Sequence, residues 1–230
     1  MCNHYNISKP KKKTGIEGFE PQYHANGFDF PKLPVVLSDG QPHLVNWGLV
    51  PSWVKEWDQA KELRVNTLNA RSETVKEKPS FRNAFNQGRF CVVLANGFYE
   101  WMEFNGKKYP HFIYLKDRPL FGMAGIWDIW LDKHTGEELK TFSILTCEAN
   151  ELMAKIHNKK MRMPVILDEG QEKNWLQSGE QNLMKPFDSH LMEAHTISKV
   201  ITSRTENTNF SGITDKVIYP ELDFTQGTLF

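Results

Sequence analysis

The chain has 230 residues, 40% of them apolar and 12% aromatic, which is enough to bury a core and too apolar for an intrinsically disordered protein. Its 28 Lys and Arg balance 28 Asp and Glu, without the excess positive charge typical of proteins that coat nucleic acid indiscriminately. The longest apolar run, residues 90–95, is far too short to span a membrane, and the N-terminus does not resemble a secretory signal. Three isolated cysteines, Cys2, Cys91 and Cys147, fit neither a disulfide scaffold nor a zinc ribbon, and the last two are expected to be buried and inert. We expect a soluble, cytoplasmic, monomeric protein.

In the first third of the chain, the pattern predicts short strands at residues 35–37 and 44–50, joined by a turn at residues 38–41. A helix is expected over residues 72–87, capped by its first residue, Ser72, and kinked or divided by Pro79. The basic run at residues 9–13 is interpreted as a solvated loop, with a phosphate-contacting arm as the alternative.

The middle of the chain is dense in strands. Aromatic and β-branched residues predict strands at residues 90–95, 97–104, 111–115, 121–130 and 141–146, with a hairpin turn at Asn105-Gly106. A helix at residues 150–157, a buried strand at 163–167 and a capped helix at 168–176 follow. Since the helices are inserted and do not alternate with strands, we expect an α+β fold with a curled, barrel-like, mostly antiparallel sheet in one domain. Residues 204–230 form a polar tail without an assigned role.

Cys2 follows the initiator methionine, and a small residue there permits removal of Met1 in most cells. Removal leaves a 1,2-aminothiol, whose amine condenses with an aldehyde and whose thiol then closes a five-membered thiazolidine. With ordinary pKa values of about 7.7–8.0 for the amine and about 8.5 for the thiol, both are partly in reactive form near neutral pH. The alternative, which is the more common case for a cysteine at position two, is a residue without a catalytic role.

Two side chains have the chemistry of proton transfer. Glu100 lies in an aromatic stretch, residues 96–101, where desolvation would raise the pKa of its carboxyl group; the alternative is a glutamate on the solvent face of an edge strand. His157 stands at the end of a predicted helix, before a basic loop, where it either transfers protons or caps the helix.

Other residues suit an anion or a nucleobase. Asn69 and Arg71 precede Ser72, where N–H groups, hydroxyls and a guanidinium would surround an anion; an ordinary N-cap beside a solvated arginine is the alternative. Trp53 follows a strand and a proline turn, and either stacks on bases or belongs to the core. The sequence has no CxxC, HExxH, Gly-rich phosphate loop or GxSxG. Trapping of an aldehyde by an aminothiol requires no metal and no organic cofactor, so we expect neither.

Taken in chain order, several of these segments belong together. They are Cys2, residues 47–53, 69–74, 97–101 and 124–127, and the block at 146–167. In this order and spacing, from residue 2 to about residue 200, they resemble the SRAP family, the SOS-response-associated peptidases, also called abasic-site processing proteins. The resemblance implies a single SRAP-like domain over residues 1–230.

Members of that family use an N-terminal cysteine to form a thiazolidine with the ring-opened aldehyde of an abasic site in single-stranded DNA. The resemblance implies that Cys2 is this nucleophile, that Glu100 is the acid/base group, and that His157 assists Schiff-base chemistry and crosslink reversal. Asn69 would position Cys2 or the opened deoxyribose. Contacts with DNA are implied for Arg71, Ser72, Thr74, Arg162, His4 and Trp53, the last as a wedge at a DNA junction. The implied partner is single-stranded DNA with abasic sites, with nucleoid association during DNA damage, and a self-processing peptidase activity and a lyase activity are further implications.

Two segments depart from the family pattern. Asn3 and His4 follow Cys2, where the family usually has Gly and Arg. A histidine in place of the arginine would weaken a phosphate contact or make it pH-dependent, and the chain loses a glycine that would let it bend beside the nucleophile. Residues 23–26 read Tyr-His-Ala-Asn, where a Tyr-Asn pair is often found.

Three other functions are compatible with the same residues. A cysteine-dependent hydrolase would use Cys2 as nucleophile and His157 as base, and would leave no stable DNA adduct. A non-catalytic single-stranded DNA-binding module would use Arg71, Arg162 and Trp53, and would keep all its activity after Cys2→Ala. A lyase would form a Schiff base and cleave the strand.

Overall fold

The computed structural model describes residues 2–8, 16 and 18–222; the basic run at residues 9–13 lies outside the described residues. The strands are β1 (His4–Ile7), β2 (Gln22–Asn26), β3 (Lys32–Val36), β4 (Pro42–Trp47), β5 (Asn69–Arg71), β6 (Phe90–Ala95), β7 (Gly97–Phe104), β8 (Lys107–Leu115), β9 (Phe121–Leu131), β10 (Glu138–Glu148), β11 (Arg162–Pro164) and β12 (Met192–Thr196). The α-helices are α1 (Trp57–Arg64), α2 (Arg82–Asn86), α3 (Glu151–Ile156) and α4 (Gln171–Ser178). Short 3-10 helices cover Gly27–Asp29, Gln181–Leu183, Ser189–Leu191, Lys199–Thr202 and Ser211–Thr214. No helix within the described ranges is long and apolar enough to cross a membrane.

Five strands close into a barrel in the order β10, β4, β3, β6, β9 and back to β10. The β10–β4 pair is parallel and the other four pairs are antiparallel. Strands β5 and β11 add to β10, β5 in parallel and β11 antiparallel to it. The α+β fold with a curled, barrel-like sheet is therefore confirmed.

The second sheet is antiparallel throughout, in the order β2, β1, β7, β8, β12. The predicted hairpin between β7 and β8 is confirmed: Asn105 and Gly106 both have positive φ, 48° and 72°, as a two-residue type I′ turn requires. Gly97 begins β7 where the sheet is crowded, because a Cβ there would lie 2.4 Å from the Phe112 ring and 2.7 Å from the carbonyl oxygen of Ile113. Glycine at this position therefore allows β7 and β8 to approach each other closely.

The two faces of β7 are both covered. Phe98 packs into the main core, while Tyr99, on the opposite face, packs against Ile197, Ile201 and Ile213 from the C-terminal part of the chain. Because side chains alternate along a strand, Glu100 shares the core-facing side with Phe98. A carboxyl group is thereby carried into the interior.

The predicted helix at residues 72–87 is wrong over most of its length. The Thr74 carbonyl closes a turn with the N–H groups three and four residues later, and residues 72–81 continue in turns. Pro79 has no N–H to donate to the carbonyl four residues earlier, so a regular helix begins only at α2. The strands expected at residues 90–95 and 97–104 coincide with β6 and β7.

Candidate functional site

The first strand of the chain is an interior strand of the second sheet. Strand β1 lies between β2 and β7, and its register pairs Tyr5 with Phe98 and Asn6 with Gly97. Continued by three residues, this antiparallel register sets Asn3 opposite Glu100 and Cys2 opposite Trp101. Cys2 itself is fully buried as part of the main core.

The Cys2 thiol is protonated at neutral pH. Burial raises its pKa, and the negative charge of Glu100 raises it further. Its Sγ–H donates to the carbonyl oxygen of His4, 3.8 Å away. The charge states of the Cys2 thiol and the Glu100 carboxyl group are therefore coupled inside the protein.

His157 is positioned by α3 and by a side-chain clamp. Asn150 caps the helix, its Oδ1 accepting from the N–H of Met153 at 2.9 Å, and the helix ends at His157 as predicted. The next residue, Asn158, exchanges two hydrogen bonds with the backbone of Glu103 on β7, at 2.8 and 3.1 Å. The cap turn of α3 is thus fastened to the strand that carries Glu100.

Glu100 and His157 form a buried acid/base pair, with His157 Nε2 3.5 Å from Glu100 Oε2. Burial raises the pKa of Glu100 to about 7 and lowers that of His157 to about 4. Both directions reflect the cost of burying charge, which favours a neutral carboxylic acid beside a neutral imidazole over an ion pair. His157 Nδ1 lies 2.8 Å from the carbonyl oxygen of Arg162 and must donate a hydrogen bond to it. In the neutral imidazole Nε2, which faces Glu100, is therefore the unprotonated nitrogen.

A cleft of about 490 Å³ opens beside this pair, which we call the Glu100 cleft. Its lining includes Asn3, His4, Trp101 and three lysines, Lys108, Lys159 and Lys160. Lys159 pairs with Glu103 at 2.8 Å. The cleft combines a proton donor with a cationic rim, a combination that suits an anionic substrate.

Asn69 is joined to the N-terminal segment. It begins β5, which runs parallel to β10, and its Nδ2 donates to Asn3 Oδ1 at 2.7 Å. Asn69 Oδ1 is buried and has no hydrogen-bond partner among the described residues. A buried amide oxygen of this kind is suited to accept a hydrogen bond from Cys2 or from a substrate.

Arg162 is engaged within the protein. Its guanidinium makes a bidentate pair with Glu73 at 2.6 and 2.9 Å and donates to the Thr146 carbonyl at 2.6 Å, and the side chain is buried. Arg71 is exposed near the same carboxylate, and its positive charge contributes to the lowered pKa of Glu73. A DNA phosphate at Arg162 would have to displace Glu73, whereas Arg71 is accessible.

The other residues predicted to contact DNA differ in exposure. Ser72 and Thr74 are half-buried, and the Ser72 N–H is already bonded to the Thr146 carbonyl at 2.9 Å. Trp53 is 41% exposed and donates its Nε1–H to the carbonyl of Pro79 at 3.2 Å, so its ring is free to stack. It lies at the surface and is not part of the core.

His4 is uncharged, which bears on its expected role as a phosphate ligand. Burial lowers its pKa to about 3, with neighbouring His24 lowering it further, so His4 carries no positive charge near neutral pH. Its ring packs edge-on against Trp101 at 4.9 Å. The phosphate contact expected of an arginine here is therefore reduced to that of a neutral hydrogen-bonding group.

Sequence reasoning missed two partners of the site, Glu73 and His24. Glu73 falls inside the helix predicted over residues 72–87, a pattern that gives no sign of its pairing with Arg162, 89 positions away. The sequence offered one indication that His24 is unusual: residues 23–26 depart from the family's Tyr-Asn pattern. Among the described residues no group of three or more His, Cys, Asp or Glu side chains could hold a metal ion.

Comparison with known proteins assigns the family. The family model of the SOS response associated peptidase (SRAP) matches residues 1–204. The chain is 36% identical over 199 residues to abasic site processing protein YoaM of Bacillus subtilis, covering 82% of this chain and 83% of that one. It is 37% identical over 198 residues to abasic site processing protein HMCES of Rattus norvegicus, covering 71% of this chain and 54% of that one. A crystal structure of a protein from Bacteroides thetaiotaomicron matches with a TM-score of 0.88 at 37% identity, over 94% of this chain and 100% of the other. Because the family model covers residues 1–204 and relatives at 36–37% identity cover most of the chain, the chain belongs to the SOS response associated peptidase family.

Proposed function

We propose that this protein processes abasic sites in single-stranded DNA by forming a covalent thiazolidine between Cys2 and the ring-opened sugar. The observation that carries the proposal is the position of Cys2 at the N-terminus, buried and within electrostatic reach of the Glu100 carboxyl group. Two relatives at 36–37% identity are named abasic site processing proteins, which supports the same class of substrate. The reaction requires removal of Met1, which frees the α-amine of Cys2.

The order of bond formation follows from the state of the two nucleophiles. The buried thiol is protonated, whereas an α-amine with a pKa of about 7.7–8.0 is partly free near neutral pH, so the amine attacks first. It adds to the aldehyde carbon C1′ and the carbinolamine loses water to give an imine. The S–H then adds across the C=N bond, sulfur to carbon and hydrogen to nitrogen. The balance is one aminothiol and one aldehyde giving one thiazolidine and one water.

Glu100 supplies protons in this sequence. As a carboxylic acid with a pKa near 7, it can protonate the sugar ring oxygen when the ring opens and the hydroxyl group that leaves as water. The bare Nε2 of His157, 3.5 Å away, can hold the proton between these steps and return it when the adduct reverses. Asn69 Oδ1 is the acceptor proposed to orient the Cys2 amine.

DNA would enter along the cationic rim of the Glu100 cleft. Exposed Arg71 and half-buried Ser72 and Thr74 are proposed to contact phosphates, and the exposed ring of Trp53 to stack on a base at a junction. Arg162 joins this surface only when Glu73 releases it. Because the chain has no net charge, affinity depends on this local surface.

A denaturing gel tests the proposal. Met1-processed protein is incubated with a single-stranded oligonucleotide that carries one abasic site, beside Cys2→Ala and a form that retains Met1. We expect a shifted band, stable to heat and denaturant, only with a free Cys2 amine. Mass spectrometry should give the sum of both components minus one water.

Each competing function predicts a different result in this experiment. The absence of a shifted band with fully processed protein contradicts the crosslink and favours the cysteine-dependent hydrolase. Equal binding by Cys2→Ala without any covalent band identifies a non-catalytic binding module. Strand scission with borohydride trapping, in place of a stable band, identifies a lyase.

A further inference from the structure

A second cavity adjoins the Glu100 cleft, and we call it the Phe28 cleft. Its volume of about 630 Å³ lies within the range of small-molecule sites. His4, Trp101 and Thr202 line both cavities, so the two are neighbours. Because His4 lies two residues after Cys2, its Cα is at most about 7 Å from that of the nucleophilic residue. A nucleotide next to a sugar held at Cys2 is therefore within reach of the Phe28 cleft.

One wall of the Phe28 cleft is the 3-10 helix Gly27–Asp29, which is fastened beside the nucleophile. Its first N–H donates to the carbonyl oxygen of Asn3 at 2.8 Å, and Asn26 Oδ1 caps it by accepting from the Phe28 N–H at 3.2 Å. Phe30 ends the helix in the left-handed region, with a φ of 51°. A phenylalanine keeps this unfavourable conformation only where the surrounding contacts hold it, so the turn has a fixed shape.

The turn presents an exposed aromatic ring. Phe28 is 47% exposed, and its ring centroid lies 6.4 Å from that of His4, which in turn packs edge-on against Trp101 at 4.9 Å. Burial lowers the pKa of His4 to about 3 and that of His24 to about 4, so both imidazoles are uncharged near neutral pH. An exposed ring among uncharged rings offers a nucleobase a face on which to stack.

Another wall comes from the C-terminal part of the chain and is polar. Thr208 Oγ1 lies 2.8 Å from His24 Nδ1, and Asn209 Oδ1 accepts from the Tyr23 N–H at 2.7 Å, which fastens this segment to β2. The segment follows residue 204, where the family model ends. Amide and hydroxyl groups along the cleft supply hydrogen-bond donors and acceptors of the kind that read the edge of a base; they belong to Gln22, Asn26, Ser203, Thr208 and Asn209.

The two clefts differ in charge. Of the residues that line the Phe28 cleft, Asp29 and Arg204 are charged near neutral pH, and their charges are opposite. The Glu100 cleft instead has three lysines on its rim. A DNA strand offers a charged phosphate backbone and uncharged bases. The Glu100 cleft therefore suits the sugar and phosphates of the lesion, whereas the Phe28 cleft suits a base.

We propose that the Phe28 cleft binds the base of the nucleotide next to the abasic site, with the base stacked on the Phe28 ring and its edge facing the amide and hydroxyl groups of the cleft. In this arrangement Arg204, which is exposed, contacts the phosphate of the same nucleotide. The lesion itself has no base, so a neighbouring base held in this way fixes which sugar of the strand reaches Cys2. The inference rests on the proposed function, because it adds a subsite to the same DNA surface.

The experiment measures affinity for single-stranded oligonucleotides that carry a tetrahydrofuran in place of the abasic sugar. Tetrahydrofuran has no aldehyde, so binding is measured without crosslinking. A second tetrahydrofuran replaces the nucleotide on the 5′ side, the nucleotide on the 3′ side, or a distant nucleotide as the control. Processed wild type is compared by fluorescence anisotropy with Phe28→Leu, which stays apolar but loses the aromatic face, and with Phe28→Tyr, which keeps that face.

In wild type, loss of the base on one side should weaken binding by about fivefold or more, the lower end of the effect of stacking one base. Loss of the same base should change the affinity of Phe28→Leu by less than about twofold, because the ring that held the base is gone. Comparison of both proteins on the same DNA cancels any change in the free oligonucleotide. Phe28→Tyr should behave as wild type.

Phe210→Leu is the matched control, because Phe210 is exposed to a similar extent, 41%, and lines neither cleft. This variant should keep the full effect of base removal. Arg204→Gln should weaken binding to every oligonucleotide and make the slope of log affinity against log salt shallower by about 0.7, the value for one phosphate on a single strand.

The base subsite is overturned if neither neighbouring base affects the affinity of wild type, or if Phe28→Leu loses the same factor with every oligonucleotide. An unchanged salt slope in Arg204→Gln overturns the phosphate contact. Crosslinking to a true abasic site on the denaturing gel is a separate readout. Base-dependent affinity without a crosslinked band supports the subsite and overturns the proposed thiazolidine, so the two failures are distinguishable.

Discussion

Glu100 and His157 lie with Oε2 and Nε2 3.5 Å apart, and burial shifts their pKa values in opposite directions. The hydrogen bond from His157 Nδ1 to the Arg162 carbonyl fixes the imidazole tautomer, so the nitrogen that faces Glu100 is the one able to accept a proton. The proton of the pair therefore resides on the carboxyl group up to about pH 7. A carboxyl group of this kind serves as an acid at neutral pH, which an exposed glutamate does not.

Replacement of Glu100 by glutamine should lower the crosslinking rate by about two orders of magnitude or more, because the amide keeps the shape but cannot donate an acidic proton. In wild type the rate should first rise with pH as the α-amine, with a pKa of about 7.7–8.0, loses its proton, and then decline at alkaline pH because the acid form of Glu100, with a pKa of about 7, is lost. The variant should lack this decline. Single-turnover rates across pH measure both effects, and a variant that retains the alkaline decline would assign it to another group.

The same replacement should stabilise the protein at alkaline pH. A folded-state pKa raised from 4.5 to about 7 means that the folded state binds more protons than the unfolded state between these values, so stability is present below 4.5 and is lost as pH rises through 7. The upper limit of this loss is about 3 kcal/mol. Glu100→Gln should therefore melt several degrees higher than wild type at about pH 8, and nearly equally at about pH 4.

The pH profile of the melting temperature and a matched control variant check that interpretation. His157 contributes in the opposite sense, since its lowered pKa adds stability as pH rises from about 4 to 6.5, and this contribution persists in the Glu100 variant. Glu172→Gln is a matched control, because Glu172 pairs with Arg118 at 3.2 Å and is partly exposed. A gain in melting temperature at pH 8 for the control as well would point to a general charge effect.

What the sequence predicted well was local. The aromatic and β-branched runs of β6 and β7 predicted those strands to the residue, and Asn105-Gly106 predicted the hairpin. The desolvated environment of Glu100 was also an expectation from its aromatic neighbours. Each of these depends on residues only a few positions apart.

What it missed depends on contacts between distant residues. Glu73 meets Arg162 only because β5 ends, and β11 begins, beside the C-terminal end of β10. His24 and Thr208 are 184 positions apart. Local patterns of hydrophobicity and helix propensity carry no information about such pairs. The prediction of a helix over residues 72–87 therefore took no account of the Glu73–Arg162 pair.

The Glu73–Arg162 pair gives a prediction about DNA affinity. Glu73→Gln removes a negative charge and releases the Arg162 guanidinium, so binding to single-stranded DNA should strengthen. If Arg162 then contacts a phosphate, the slope of log affinity against log salt should steepen by about 0.7, the value for one phosphate on a single strand. Fluorescence anisotropy with an oligonucleotide lacking an abasic site measures binding apart from chemistry.

Arg162→Lys in the Glu73→Gln background separates charge from geometry. It keeps a cation but loses the planar fork that binds a phosphate with two hydrogen bonds, so affinity should fall while the salt slope is retained. Glu172→Gln is again the matched control for loss of a glutamate paired with an arginine. An affinity gain of the same size in that control would show that the effect does not depend on Arg162.

Asn3 gives the last prediction, because it occupies a position where the family usually has glycine and yet accepts a hydrogen bond from Asn69 at 2.7 Å. Removing this acceptor costs one neutral hydrogen bond, about 0.5–1.5 kcal/mol, and leaves the Asn69 amide free to rotate away from Cys2. Asn3→Ala and Asn3→Gly should both slow crosslinking by about two- to tenfold at saturating DNA. If backbone freedom beside Cys2 dominates instead, the glycine variant will be the faster of the two, because glycine permits bends that alanine does not. Equal slowing of both variants identifies the Asn3–Asn69 bond as the element that holds the amide in place for the Cys2 amine.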